Sequence, residues 1–168
     1  MKTLEDILEA TIPIAAQSVL TNHGVKIIGG TDHIAVYSVV AVIGFSGDDF
    51  GGALGFAAEE NFIKSAYGED NSTLSDSWVG EISNQLVGRL KSALLSYGIE
   101  VRLAIPMVLH GLDIKVRQAD THQLTQYRCD SEHGGACVWV DANWDIRQKV
   151  QLAGAEEQPQ EEGALMLF

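Results

Sequence analysis

Apolar positions along the chain change period several times, and each change marks an element. Over residues 3–20, Leu4, Ile7, Leu8, Ile14, Ala15 and Val19 recur at helical spacing, with Glu5, Asp6 and Glu9 off the stripe. Thr3 followed by Asp6 resembles a capping box, and acids in the first turn suit the helix dipole. Pro13 is expected to kink this helix, and Asn22-His23-Gly24 to end it. From residue 25 the residue types turn to Val, Ile, Tyr and Gly. The pattern predicts a short strand at 25–28, a long one at 33–45 and another at 51–56, the last two joined through Ser46-Gly47-Asp48-Asp49. The nearly unbroken apolar run 34–43 implies a strand buried on both faces or lying in an interface. A short helix at 59–67 should stop at Gly68.

The longest predicted helix covers 74–97, with Thr73 and Asp76 repeating the cap pattern and Gly98 closing the end. Strands are expected at 101–109, 112–117, 123–129 and 136–141, with His133-Gly134-Gly135 as the turn between the last two. Residues 144–152 alternate imperfectly and read as strand or loop. Helix, strands, two helices, strands: the order implies an α+β domain, a largely antiparallel sheet with helices packed against it. It should span residues 1–153. The remainder, 154–168, carries four Glu, no base and a Pro, and reads as an acidic tail ending in apolar Ala164-Leu165-Met166-Leu167-Phe168.

On a wheel of 100° per residue with Glu81 at zero, Val79, Ile82, Leu86, Leu90, Ala93 and Tyr97 gather between about 100° and 180°. That arc should face the core. Ser77, Glu81, Asn84, Gly88 and Lys91 gather on the opposite side, with Trp78 at its rim. Glu81 and Asn84, three apart, stand side by side. Gly88 is costly in a helix interior, by about 1 kcal/mol relative to Ala. Two accounts stay open: another part of the chain packs there, or a partner's backbone approaches.

The composition narrows the function. A formal net charge of −12 over 168 residues offers nothing to offset phosphate repulsion and disfavours nucleic acid and anionic membranes. The N-terminus has acids where a secretory signal needs a basic and then an apolar region, so a cytoplasmic protein is expected. No Ser-His-acid pattern, phosphate loop or metal-ligand spacing stands out. Cys129 and Cys137 flank the Gly-Gly turn and are placed to face each other, but a disulfide suits the cytosol poorly. Together with His122 and His133 they lack the spacing of a zinc knuckle. Trp139 and Trp144 read as core or interface residues.

The segment Ser77-Trp78-Val79-Gly80-Glu81-Ile82-Ser83-Asn84, followed by Gly88 and Pro106, resembles the CheC/CheX/FliY family of chemotaxis phosphatases. Their pattern is an Asp or Ser, a Glu four residues later, an Asn three beyond and a Pro some twenty further on. Residues 42–68, a Gly-rich strand, turn and strand followed by a helix, look like the same family's preceding block, so the resemblance covers about residues 33–118. A single Glu-x-x-Asn helix makes the chain most similar to the CheX type, since CheC and FliY relatives typically carry two.

The resemblance implies a CheC-like two-layer fold and hydrolysis of the aspartyl phosphate of a CheY-type response regulator. Asn84 would orient the attacking water and Glu81 would fix the docking by pairing with a lysine of the partner. Ser77, Gly88, Lys91 and Pro106 would contribute to partner binding, with Pro106 shaping the chain beside the helix or merely sitting at a strand edge. No cofactor of its own is implied; Mg²⁺ is expected in the response-regulator partner. A homodimer formed by joining sheets is also implied. A non-catalytic scaffold that binds a regulator or flagellar component is the alternative, although it has no need of the amide. A small-molecule-binding domain would need a buried polar pocket rather than an exposed polar helix face.

Overall fold

Thr3 starts the first helix as the pattern predicts. Its hydroxyl accepts from the Asp6 N–H at 3.1 Å and the Asp6 carboxylate accepts from the Thr3 N–H at 2.7 Å. Those hydrogen bonds, the Thr3 side chain first, hold the Asp6 carboxyl below the ordinary carboxylate range. The computed structural model describes residues 2–29, 36–48, 51–67, 72–116, 123–143 and 149–150. The tail at 154–168, Gly68, His122, Trp144 and the start of the strand expected at 33–45 lie outside them.

In chain order the elements are β1 (Lys2–Thr3), α1 (Leu4–Asn22), β2 (Tyr37–Ser46), β3 (Gly51–Ala58), α2 (Glu60–Tyr67), α3 (Ser72–Leu95), β4 (Arg102–Leu103), β5 (Met107–Ile114), β6 (Gln123–Ser131), β7 (Gly134–Ala142) and β8 (Lys149–Val150). The main sheet runs β4-β2-β3-β7-β6, with β5 also paired to β2, and every pairing is antiparallel. β1 and β8 form a separate two-stranded ribbon. The fold is α+β with an antiparallel sheet, as expected.

Strand parity divides the sheet into two faces. Val39, Ala41, Ile43 and Phe45 of β2, with Leu54 and Phe56 of β3 and Val138 and Val140 of β7, join the main core beneath the helices. Val40, Ala57 and Cys137 make a smaller cluster on the other face, joined by Tyr37 through a register shift between Tyr37 and Val39. The apolar run of β2 is therefore buried on both sides. On the outer face the Trp139 ring lies over Gly55: a Cβ there would meet its Cε2 at 2.0 Å.

Several expectations shift. α1 runs through Pro13 to Asn22, and Ile12, Ala16 and Leu20 join its buried face while Ile14 is 69% exposed. The core face rotates along the helix because seven residues fall short of two full turns. α3 starts at Ser72, ahead of the expected cap at Thr73; Asn71, Ser72, Thr73 and Ser75 are all capping types, so sequence does not choose among them. Residues 25–28 form no strand: Gly29 turns to φ 109°, leaving one bridge to Asp130. The break expected near 110–111 falls instead at 104–106, where Pro106 has no N–H to offer β2. β6 and β7 are joined by Glu132 and His133 alone, which places Cys129 opposite Ala136 and Cys137 opposite Arg128. The two thiols point to opposite faces of the sheet and are free.

Candidate functional site on the outer face of α3

α3 is held by its apolar arc. Trp78, Val79, Ile82, Leu86, Val87, Leu90 and Leu94 are buried in the main core, and Trp78 meets Phe56 edge-on at 6.3 Å. Ala93 and Tyr97 lie at its margin, half-buried. Ser83 is also buried, and its hydroxyl donates back to the Val79 carbonyl at 2.9 Å, as a polar residue on a core face must. Gly98, at φ 75°, ends the helix, with the Ile99 N–H donating to the Leu94 carbonyl at 3.1 Å.

The opposite stripe is the one expected. Ser77, Glu81, Asn84 and Lys91 are exposed and Gly88 is half-exposed between them. A Cβ on Gly88 would meet nothing within 4 Å, so no part of the described chain explains the glycine by packing. Among the described residues the Asn84 carboxamide makes no hydrogen bond, nor does the Lys91 ammonium. Glu81 differs: its Oε1 accepts from Gln85 Nε2 at 2.8 Å.

Gln85 and His23 escaped the sequence reading. Gln85 Oε1 accepts from His23 Nε2 at 3.3 Å, across 62 positions of sequence. Four-residue spacing from Glu81 was the signal for Gln85; nothing local announces His23.

Pro106 sits in the break between β4 and β5, and the Ala104 N–H ahead of it donates to the Gly44 carbonyl at 2.8 Å. This edge meets α3 through Val108, whose Cγ2 would lie 4.0 Å from a Cβ on Gly80, and through His110, whose Nε2 pairs with Asp76 Oδ1 at 2.5 Å. The strand edge thus meets α3 near Ser77 and Glu81, while Asn84, Gly88 and Lys91 lie further along.

A family model described as "Chemotaxis phosphatase CheX" matches residues 39–130, more than half of the chain, and includes all of α3, β4 and β5. The chain belongs to the CheX family. Solved structures share the fold. A CheC-like superfamily protein from Shewanella sp. PV-4 superposes with a TM-score of 0.71 at 22% identity, over 81% of this chain and 97% of that one. The CheX chemotaxis protein of Vibrio vulnificus gives 0.70 at 19%, over 84% and 99%. The CheX of a CheX–CheY–BeF₃–Mg²⁺ complex from Borrelia burgdorferi gives 0.64 at 14%, over 80% and 97%. At these identities the likeness is one of fold. Among curated protein sequences none matches this chain. No helix of the described residues is long and apolar enough to cross a membrane.

Proposed function

We propose that this chain hydrolyses the aspartyl phosphate of a CheY-type response regulator, with Asn84 orienting the attacking water and Glu81 docking against a lysine of the partner. The carrying observation is the contrast within one helix stripe: an exposed carboxamide with no partner in the described chain beside a carboxylate that is held. An acyl phosphate is already reactive, so its hydrolysis is a matter of positioning and charge stabilisation. Water attacks phosphorus as the bond to the aspartyl oxygen breaks, and aspartate leaves as a carboxylate. A carboxamide offers an acceptor to one water proton and a donor to a phosphoryl oxygen at a fixed separation. In this reading the phosphoryl group and its Mg²⁺ come with the regulator; a structural relative solved as a CheX–CheY–BeF₃–Mg²⁺ complex supports a CheY-type partner. Ser77, Gly88 and Lys91 lie along the same stripe and form the docking surface, with Pro106 shaping the neighbouring edge.

The reading also includes a homodimer joined along β5. Among the described residues that strand pairs only with β2, and its exposed apolar side chains, Met107 at 61% and Leu112 at 97%, lie along an edge that no described strand covers.

The test is phosphate release from a phosphorylated CheY-type regulator, wild type against Asn84→Ala. A hundredfold fall in kcat with binding retained is expected, equivalent to about 2.7 kcal/mol of transition-state stabilisation. Binding without acceleration by the wild type would refute the enzyme and leave a scaffold.

A further inference from the structure

We infer that Gln85 is a positioning residue that acts through Glu81, and that His23 sets the direction of its carboxamide. The inference rests on the proposed docking role of Glu81. A carboxamide carries its donor and acceptor at opposite ends. Here the acceptor end, Oε1, takes the His23 Nε2 proton at 3.3 Å, so the donor end, Nε2, faces Glu81 Oε1 at 2.8 Å. The reverse orientation would bring the amide oxygen against the carboxylate oxygen, two acceptors in contact. The same arrangement requires the His23 proton on Nε2.

His23 is itself anchored. It caps α1, its N–H donating to the Val19 and Leu20 carbonyls at 3.2 and 3.1 Å, and its ring meets Trp78 edge-on with centroids 6.0 Å apart and planes at 83°. Trp78 is buried against Phe56. An exposed carboxylate, which on a bare helix surface samples several rotamers, is thereby referred through two side chains to the joint between α1 and α3. Asn84, one residue before Gln85, has no such support among the described residues. Orientation of Glu81 belongs to docking, so loss of Gln85 affects KM and spares kcat.

The experiment uses the full chain and a CheY-type regulator phosphorylated with acetyl phosphate. Gln85→Leu, which keeps helix propensity and bulk, should raise KM about fivefold, the worth of one ordinary hydrogen bond, with kcat within about twofold of wild type. His23→Ala should raise KM in the same direction by less. In a Glu81→Gln background Gln85→Leu should add nothing, because the two act as one unit. The Kd for regulator charged with beryllofluoride and Mg²⁺ should rise by the same factor, and needs no turnover. An unchanged KM and Kd, a fall confined to kcat, or an effect additive with Glu81→Gln would each overturn the inference. Failure of Asn84→Ala to slow release would sink the catalytic reading instead, while the Kd measurement still decides the role of Gln85.

Discussion

Gly88→Ala separates stability from function, because the two respond with opposite sign. The residue lies inside a 24-residue helix, with regular turns on both sides. It is absent from the positive-φ glycines, and a Cβ would meet nothing within 4 Å. Alanine at such a position removes the entropy cost of glycine without strain, so the free protein should gain about 1 kcal/mol. For a chain of this length that raises Tm by about 3 °C. In the complex, a methyl forced into a close contact costs about 1 to 3 kcal/mol, which lowers kcat/KM by roughly 5- to 150-fold. Thermal unfolding of the free protein and phosphate release from the phosphorylated regulator read the two quantities separately. A variant that gains stability and keeps its full kcat/KM would refute a partner's close approach at Gly88. A variant that loses stability would show that the glycine is needed by the fold.

The same substitution at Gly55 should have the opposite effect on folding: the new methyl collides with the Trp139 ring, and urea unfolding should show a loss of about 1 to 3 kcal/mol with the α3 site unaltered. Burial pushes the Cys129 and Cys137 thiols above their ordinary range. The native chain keeps protons that the unfolded chain releases above about pH 8.5, so stability should fall as pH rises, by at most ~1.4 kcal/mol per unit per thiol. Urea midpoints at pH 7.5 and 9.5 check this, and a double Cys129→Ala, Cys137→Ala variant should lose less stability over that interval. Met107→Lys with Leu109→Lys charges the exposed side chains of β5 and should convert a dimer to a folded monomer by light scattering. A wild type that is already monomeric at micromolar concentration refutes the joined-sheet reading.

Local chemistry was legible and long-range contact was not. The Thr3–Asp6 box, Gly98 and the core and exposed arcs of α3 follow from nearest-turn rules, and each was placed to within a few residues from the chain alone. The cysteines show how a small error in a turn changes a conclusion. With Glu132 and His133 as the whole turn, partners across the hairpin have numbers of opposite parity, as in Cys129 with Ala136. Two odd-numbered residues then face opposite sides of the sheet, and a disulfide between Cys129 and Cys137 is excluded by geometry. At 25–28 the residue types suit a strand, yet among the described residues this stretch forms none, and Gly29, at φ 109°, makes a single bridge to Asp130. His23 could not be found from sequence, since its partner Gln85 is reached only when α1 packs against α3.

The overall charge is a poor guide to what the site can meet. The chain carries −12, yet the charged residues of α3 balance: Asp76 and Glu81 lie toward its N-terminus, Arg89 and Lys91 toward its C-terminus. Asp76 is taken up by His110, which leaves Glu81 as the exposed anion of the stripe and Lys91 as its cation, roughly three turns apart. A partner lying along α3 therefore meets a polar gradient rather than a field of one sign. Such a gradient selects orientation more than affinity, because the reversed pose sets like charges together at both ends. Asn84 lies between the two charges and Gly88 leaves room for approach, so on the proposed mechanism the pose selected by charge would be the one that carries the amide to the reacting group.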